Sequence, residues 1–158
     1  MTEASSRRAA SELAVLSARL MRIVQRFSER HEDELQLSLP SYRALHVLAR
    51  RSPLRMSKLT NALMLSKQTV DALVVDGLAS RGEDSNDRRH IVVEATGKGI
   101  ARLQHYESTF QEYLNGLMVN VDEDEAASIA SSLSRLNREI NIKRDSGCFH
   151  SRAQPIDA

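Results

Sequence analysis

Apolar residues recur in a helical rhythm near both ends of the chain. From Ser11 to Arg30, Leu13, Leu16, Leu20, Ile23 and Phe27 fall three or four residues apart, which predicts one stripe on a long helix with Ser11 as its cap. Ile100, Leu103, Tyr106, Phe110, Leu114 and Leu117 predict another between Lys98 and Val119, leaving Arg102, Gln104, Glu107 and Gln111 to water. Ile129, Leu133, Leu136 and Ile140 predict a further one, and the carboxylates of Asp122, Glu123, Asp124 and Glu125 suit its positive N-terminal end. Such helices cannot bury a stripe alone. They pack on one another, either within one chain or, as the heptad-like spacing suits, across a homodimer.

The segment between is built from shorter pieces. Pro40 suits the first turn of a helix through Ala49 that buries Ala44, Leu45 and Leu48, and Ser52-Pro53 breaks it. Ser57 is expected to cap a short helix through Leu63, and Ser66 another running to about Val75, with Leu59, Leu63, Val70, Leu73 and Val74 facing inward. Asp76-Gly77 ends the helical pattern. Leu78–Arg81 and His90–Ala95 then flank the polar stretch Gly82–Arg89 as two strands flank a hairpin loop, with Ile91 and Val93 on one face. The expected organisation is an N-terminal dimerisation helix over 1–39, a central lobe over 40–98, C-terminal dimerisation helices over 99–145 and a loose tail over 146–158.

Composition narrows the class. With 158 residues, 41% hydrophobic and 27% charged, and only 6 glycines and 3 prolines, the chain suits one helix-rich domain or two small lobes rather than a multidomain enzyme or a low-complexity segment. The net charge of +1 conceals an uneven distribution. Pro40 to Arg102 carries 11 basic and 6 acidic side chains, whereas Leu103 to Glu125 carries 6 acidic and none basic, so the central lobe is the basic one. The single cysteine, Cys148, excludes an intramolecular disulfide and reads as a bystander thiol. The longest apolar runs, Leu13–Leu16, Ala62–Leu65 and Ala72–Val75, are four residues long, far short of a membrane span, and Glu12 and Arg19 interrupt any secretory signal after Arg7 and Arg8. A cytoplasmic protein without a membrane partner is expected.

A helix, then a helix-turn-helix, then a β-hairpin is the order of a winged helix, a shape that lays one helix in a major groove. The run from Leu59 to Val70 (LTNALMLSKQTV), followed by Asp76-Gly77-Leu78, Asp87-Arg88-Arg89 and Thr96-Gly97-Lys98-Gly99, resembles the MarR family of transcriptional regulators. The likeness extends from about Ser11 to about Lys143, and its most diagnostic part is the Asp-Arg-Arg turn followed by a strand and Thr-Gly-Lys-Gly. It implies a mainly α fold: a winged helix-turn-helix with a small β-hairpin wing and long N- and C-terminal dimerisation helices. It further implies a homodimeric regulator of double-stranded DNA that changes its grip when a small aromatic or phenolic effector binds.

Elementary chemistry assigns roles within that frame. The helix opened by Ser66 presents Lys67, Gln68 and Thr69 from its first turn, where side chains and free backbone N–H groups can approach phosphates and base edges. Gln68 suits adenine in a bidentate way, and Lys67 suits guanine or a phosphate. Asp87 is expected to support the wing by holding Arg89, with Arg88 or Arg89 entering the minor groove. Arg55 and Lys58 are expected phosphate contacts. The resemblance places an effector pocket near the end of the first helix and the helix after Pro40, where His31, Tyr42, Arg43 and His46 supply polar groups.

The sequence also departs from the family pattern. About four residues fewer separate Val70 from Asp87 than in typical members, so the recognition helix is expected to be shorter by about one turn, roughly 6 Å. Asp71 places an acid on its outer face, and Thr60 and Met64 replace a small alanine and a turn glycine. These departures define an alternative: a family-shaped dimer with weak or lost DNA binding that binds a partner protein or a small molecule instead. An enzyme is disfavoured, since the sequence has no glycine-rich phosphate loop, no metal-ligand spacing and no nucleophile elbow; no cofactor or metal is expected.

Overall fold

The computed structural model describes residues 3–145; Cys148 and the expected tail lie outside the described residues. The chain divides into two units at Leu39/Pro40. The first is α1 (Glu3–Leu35), a 33-residue helix. It begins before Ser11, which lies inside it rather than capping it. The residues ahead of Ser11 favour helix, and Arg8 pairs with Glu12 one turn on at 3.2 Å. Gln36, with φ of 46°, ends the helix in the left-handed conformation.

The second unit carries α2 (Leu39–Leu48), β1 (Leu54–Arg55), α3 (Met56–Leu63), α4 (Lys67–Val75), β2 (Ala79–Glu83), β3 (Ile91–Ala95), α5 (Gly97–Leu117) and α6 (Glu123–Asp145). The strands form an antiparallel sheet in the order β1-β3-β2. This is the expected winged helix-turn-helix, mainly helical with a small wing. Its core gathers Ala44, Leu45 and Leu48 of α2, Leu59 of α3, Val70 and Leu73 of α4, Leu78, Val93 of β3, and Leu103 and Tyr106 of α5. Leu63 and Val74, expected inside, are half-buried, and Ile100 and Leu117 of the α5 stripe are exposed, whereas Arg102, expected in water, is half-buried.

Two boundaries differ from expectation because strand pairing overrides local preference. β1 pairs Leu54 with Val93 and Arg55 with Val92, so Arg55 is held extended directly before α3. Arg55 therefore occupies the cap position without a side-chain cap bond, and Ser57 falls inside the helix. In the hairpin, β2 starts one residue later than expected and continues to Glu83, opposite Ile91. The connection shrinks to a loop closed by a hydrogen bond from the Asp84 N–H to the His90 carbonyl at 3.0 Å. Ile91 and Val93 do share a face, as strand alternation requires, but Val93 is buried and Ile91 is exposed near the hairpin tip.

At the other end, Asp122 accepts a hydrogen bond from the Glu125 N–H at 2.8 Å, satisfying a donor at the start of α6. Among the described residues no helix is long and apolar enough to cross a membrane.

Candidate nucleic-acid interface

The site is built on α4. Ser66 is its N-cap: the side-chain oxygen accepts from the Thr69 N–H at 3.2 Å, which occupies one of the donors at the helix start. The Ser66 and Thr69 hydroxyls also lie 3.0 Å apart, so Thr69 belongs to the cap as well as to the helix. Val70 and Leu73 turn inward and anchor the helix on the core, which leaves Lys67 and Gln68 exposed in its first turn. Ahead of α4, Met64 adopts the left-handed conformation at φ of 52° and lies 89% exposed. The conformation usual for a turn glycine is thus kept here by a methionine, whose side chain has room only because it is in solvent. Thr60 is turned onto its own helix, its hydroxyl donating to the Met56 carbonyl at 3.0 Å.

The C-terminal end of α4 is joined to the start of α5. The Thr96 hydroxyl accepts from the Gly99 N–H at 3.0 Å and donates to the Gly77 carbonyl at 2.7 Å. The Lys98 ammonium donates to the Asp76 carbonyl at 2.7 Å, placing a cation at the negative end of α4. Gly99 sits against the Leu78 carbonyl oxygen, in a space that a Cβ would overlap. Thr96-Gly97-Lys98-Gly99 is therefore a structural clasp with no phosphate-loop geometry.

In the hairpin two aspartates organise the connection. Asp87 accepts from Arg89 Nε at 3.0 Å and Nη2 at 3.2 Å, and from the Arg89 N–H at 3.1 Å. These bonds, the side-chain pair first, hold its carboxyl below the usual carboxylate range. Arg89 nevertheless stays 89% exposed, so it is oriented without being covered. Arg88 is 90% exposed, with Glu83 at 4.0 Å. Asp84 accepts from the Asn86 N–H at 2.9 Å and from Arg55 Nε at 2.6 Å, and these two bonds in that order lower its pKa. Arg55 thus braces the hairpin from β1. Lys58 is half-buried in α3.

Sequence reasoning missed Arg81. It reaches from β2 to form an ion pair with Asp71 of α4, so the acid on α4 has a partner within the chain. The available signal was alternation: Arg81 is two residues after Ala79, which places both on one face of the strand.

The residues expected to bind an effector have internal partners. Arg43 Nη2 donates to the Leu63 carbonyl at 3.1 Å, at the C-terminus of α3. Tyr42 stacks on Tyr106 of α5 with ring centroids 4.2 Å apart, and His46 Nδ1 lies 3.1 Å from Glu107 Oε1. Burial, then the Glu107 charge, pushes the Tyr42 hydroxyl pKa up. His31, in the first unit, lies 3.0 Å from Glu34 and packs on Phe27. Among the described residues no group of His, Cys, Asp and Glu is arranged to hold a metal ion.

Comparison with known proteins supports this architecture. No family model matches the sequence. The HTH-type transcriptional repressor YetL of Bacillus subtilis is 28% identical over 100 residues, covering 61% of this chain and 58% of that protein, so the match spans little over half of the relative's length. Among solved structures, MarR superposes with a TM-score of 0.75 at 21% identity, covering 85% of this chain and 94% of that one. The transcriptional regulator BldR from Sulfolobus solfataricus superposes with a TM-score of 0.68 at 24% identity, covering 89% and 99%. At these identities the structural likeness defines the fold: this chain has the winged helix-turn-helix architecture of MarR.

Proposed function

We propose that this chain is a homodimeric, sequence-specific DNA-binding transcriptional regulator acting as a repressor from the cytoplasm. The observation that carries the reading is the joint display of a Ser66-capped helix with Lys67 and Gln68 exposed in its first turn, and a hairpin on which Arg89 is oriented by Asp87 yet open to solvent. Gln68 reads a base edge in the major groove, Lys67 and Ser66 meet phosphate or an adjacent base, and Arg89 enters the minor groove with Arg88 on the flanking backbone. Lys58 contacts phosphate, and Arg55 acts chiefly through Asp84. In this reading the chain is not an enzyme.

Dimerisation is supported by Leu13, Leu16 and Leu20 of α1 and by Ile129 and Leu133 of α6, apolar positions that stay exposed in a single chain. Two lobes related by a twofold axis read an inverted repeat whose half-sites lie about one helical turn apart. A small aromatic or phenolic effector acting on Tyr42, Arg43 and His46, or on His31, would have to displace contacts these residues already make, which couples its binding to a change in shape.

The alternative, a dimer with weak or lost DNA binding that engages a partner or ligand, draws on the length of α4. Its nine residues span about 13 Å, and the sequence carries about four residues fewer between Val70 and Asp87 than typical members of the family it resembles. Mobility shift with the DNA upstream of its own gene, across a salt series, separates the readings. Specific binding that weakens steeply with salt supports the regulator. Absence of a specific shift even at low salt, with binding gained when a turn is inserted after Val74, supports the alternative.

A further inference from the structure

Asp71 lies on α4 one turn after Lys67, on the element that must approach a polyanion. An uncompensated carboxylate there would oppose binding, because like charges brought together at a desolvated interface repel strongly. The chain supplies its own compensation. β2 pairs Arg81 with Val93, and residues opposite each other on paired strands project to the same face of a sheet. Val93 is buried, so Arg81 is directed to the covered side of the sheet, and its guanidinium ends on the Asp71 carboxylate.

We propose that Arg81 is a positioning residue for DNA recognition, cancelling the charge of Asp71 and tying the wing to the recognition helix. The proposal rests on the DNA-binding reading above. It assigns Arg81 a role different from those of Arg88 and Arg89, which are far more exposed and project from the hairpin loop. Arg81 is partnered by a carboxylate instead of facing outward, and the positive charge it brings to the lobe neutralises an acid that would otherwise repel phosphate. The tie also joins α4 directly to β2. Helix and wing, which enter different grooves, then approach DNA in a set relation even though α4 is short. Both side chains remain partly exposed, so the pair adds little to stability and its effect is expressed in binding.

The test is a double-mutant cycle on the full-length protein, using a duplex selected from a randomised pool by the wild-type chain. Arg81→Ala is expected to weaken binding about tenfold by leaving Asp71 exposed to phosphates, with Asp71→Asn in the same chain restoring most of that loss. Asp71→Asn alone is expected to bind at least as tightly as wild type, because it removes the acid while its amide oxygen can still accept a hydrogen bond from Arg81 and keep the tie. Arg81→Lys keeps the charge and should retain most of the affinity; melting of each variant checks that it is folded. If Arg81→Ala weakens binding equally in the wild-type and the Asp71→Asn backgrounds, with the salt slope reduced by about 1 in both, Arg81 is an ordinary phosphate contact and the proposal is overturned. If the wild-type chain selects no duplex at all, the DNA-binding reading fails together with it, an outcome distinct from binding with additive effects.

Discussion

Lys98 Nζ lies 2.7 Å from the Asp76 carbonyl oxygen, so the first turn of α5 closes the last turn of α4. Thr96 works beside it, bridging the Gly77 carbonyl and the Gly99 N–H with one hydroxyl. The end of α4 is therefore fixed by residues 19 and 22 positions later in the chain, and its mechanical support comes from the helix that follows the wing.

Replacing Thr96 with Val keeps the shape of the side chain and removes both bonds. Stability is expected to fall by about 1–2 kcal/mol, the cost of an N-cap and a hydrogen bond to a carbonyl, measured by urea unfolding. Lys98→Met acts on an exposed bond and should cost only about 0.5 kcal/mol. Equal losses for the two variants would contradict this division of roles.

The two glycines of the clasp are expected to behave oppositely. A Cβ at Gly99 would overlap the Leu78 carbonyl oxygen, so Gly99→Ala is expected to destabilise by about 3 kcal/mol. A Cβ at Gly97 meets nothing within 4 Å, and Gly97→Ala is expected to be neutral or to stabilise by about 0.5 kcal/mol. Thermal melting of the two single variants checks the contrast.

Met64 holds a left-handed conformation that glycine adopts without steric cost. Met64→Gly relieves that strain while making the unfolded chain more flexible, and the balance is expected to favour the folded state by about 0.5 kcal/mol. A lower melting temperature for the glycine variant would show that the methionine side chain contributes contacts its high exposure argues against.

The pH dependence of the wing follows from Asp84 and Asp87, whose folded pKa values lie below the ordinary 3.8. A lowered folded pKa means that the carboxylate contributes stability that is fully present above the ordinary value and is lost as pH falls through the folded value. The hairpin loop is therefore expected to keep its order at neutral pH and to loosen only in acid, below the usual carboxylate range. Carboxyl titration by NMR, together with exchange of the Asn86 and Arg89 amides, reads this directly; an Asp87 titrating at or above the ordinary value would contradict it.

Much of the helical skeleton was legible because its signals are local. The Ser66 cap and the Val70 and Leu73 anchors lie within one helix, and three-to-four-residue spacing located α2, α4 and α5 to within a residue or two. β1 was not legible: two residues carry no period, and their extended form exists because β3 pairs with them. The same pairing displaced the expected Ser57 cap. At the interface, Asp87 and Arg89 are two residues apart and their contact follows from proximity, whereas Asp71 and Arg81 meet across an intervening turn and strand.

Taken alone, the order of residues determined the rhythm of the helices, the basic character of the central lobe and the turn chemistry of the wing, since each depends on neighbours along the chain. The tertiary structure decided which charges are free to meet another molecule. Arg55 is drawn to Asp84 and Arg81 to Asp71, while Arg88 and Arg89 remain exposed, because an arginine's partner is set by the strand face and helix that folding brings beside it.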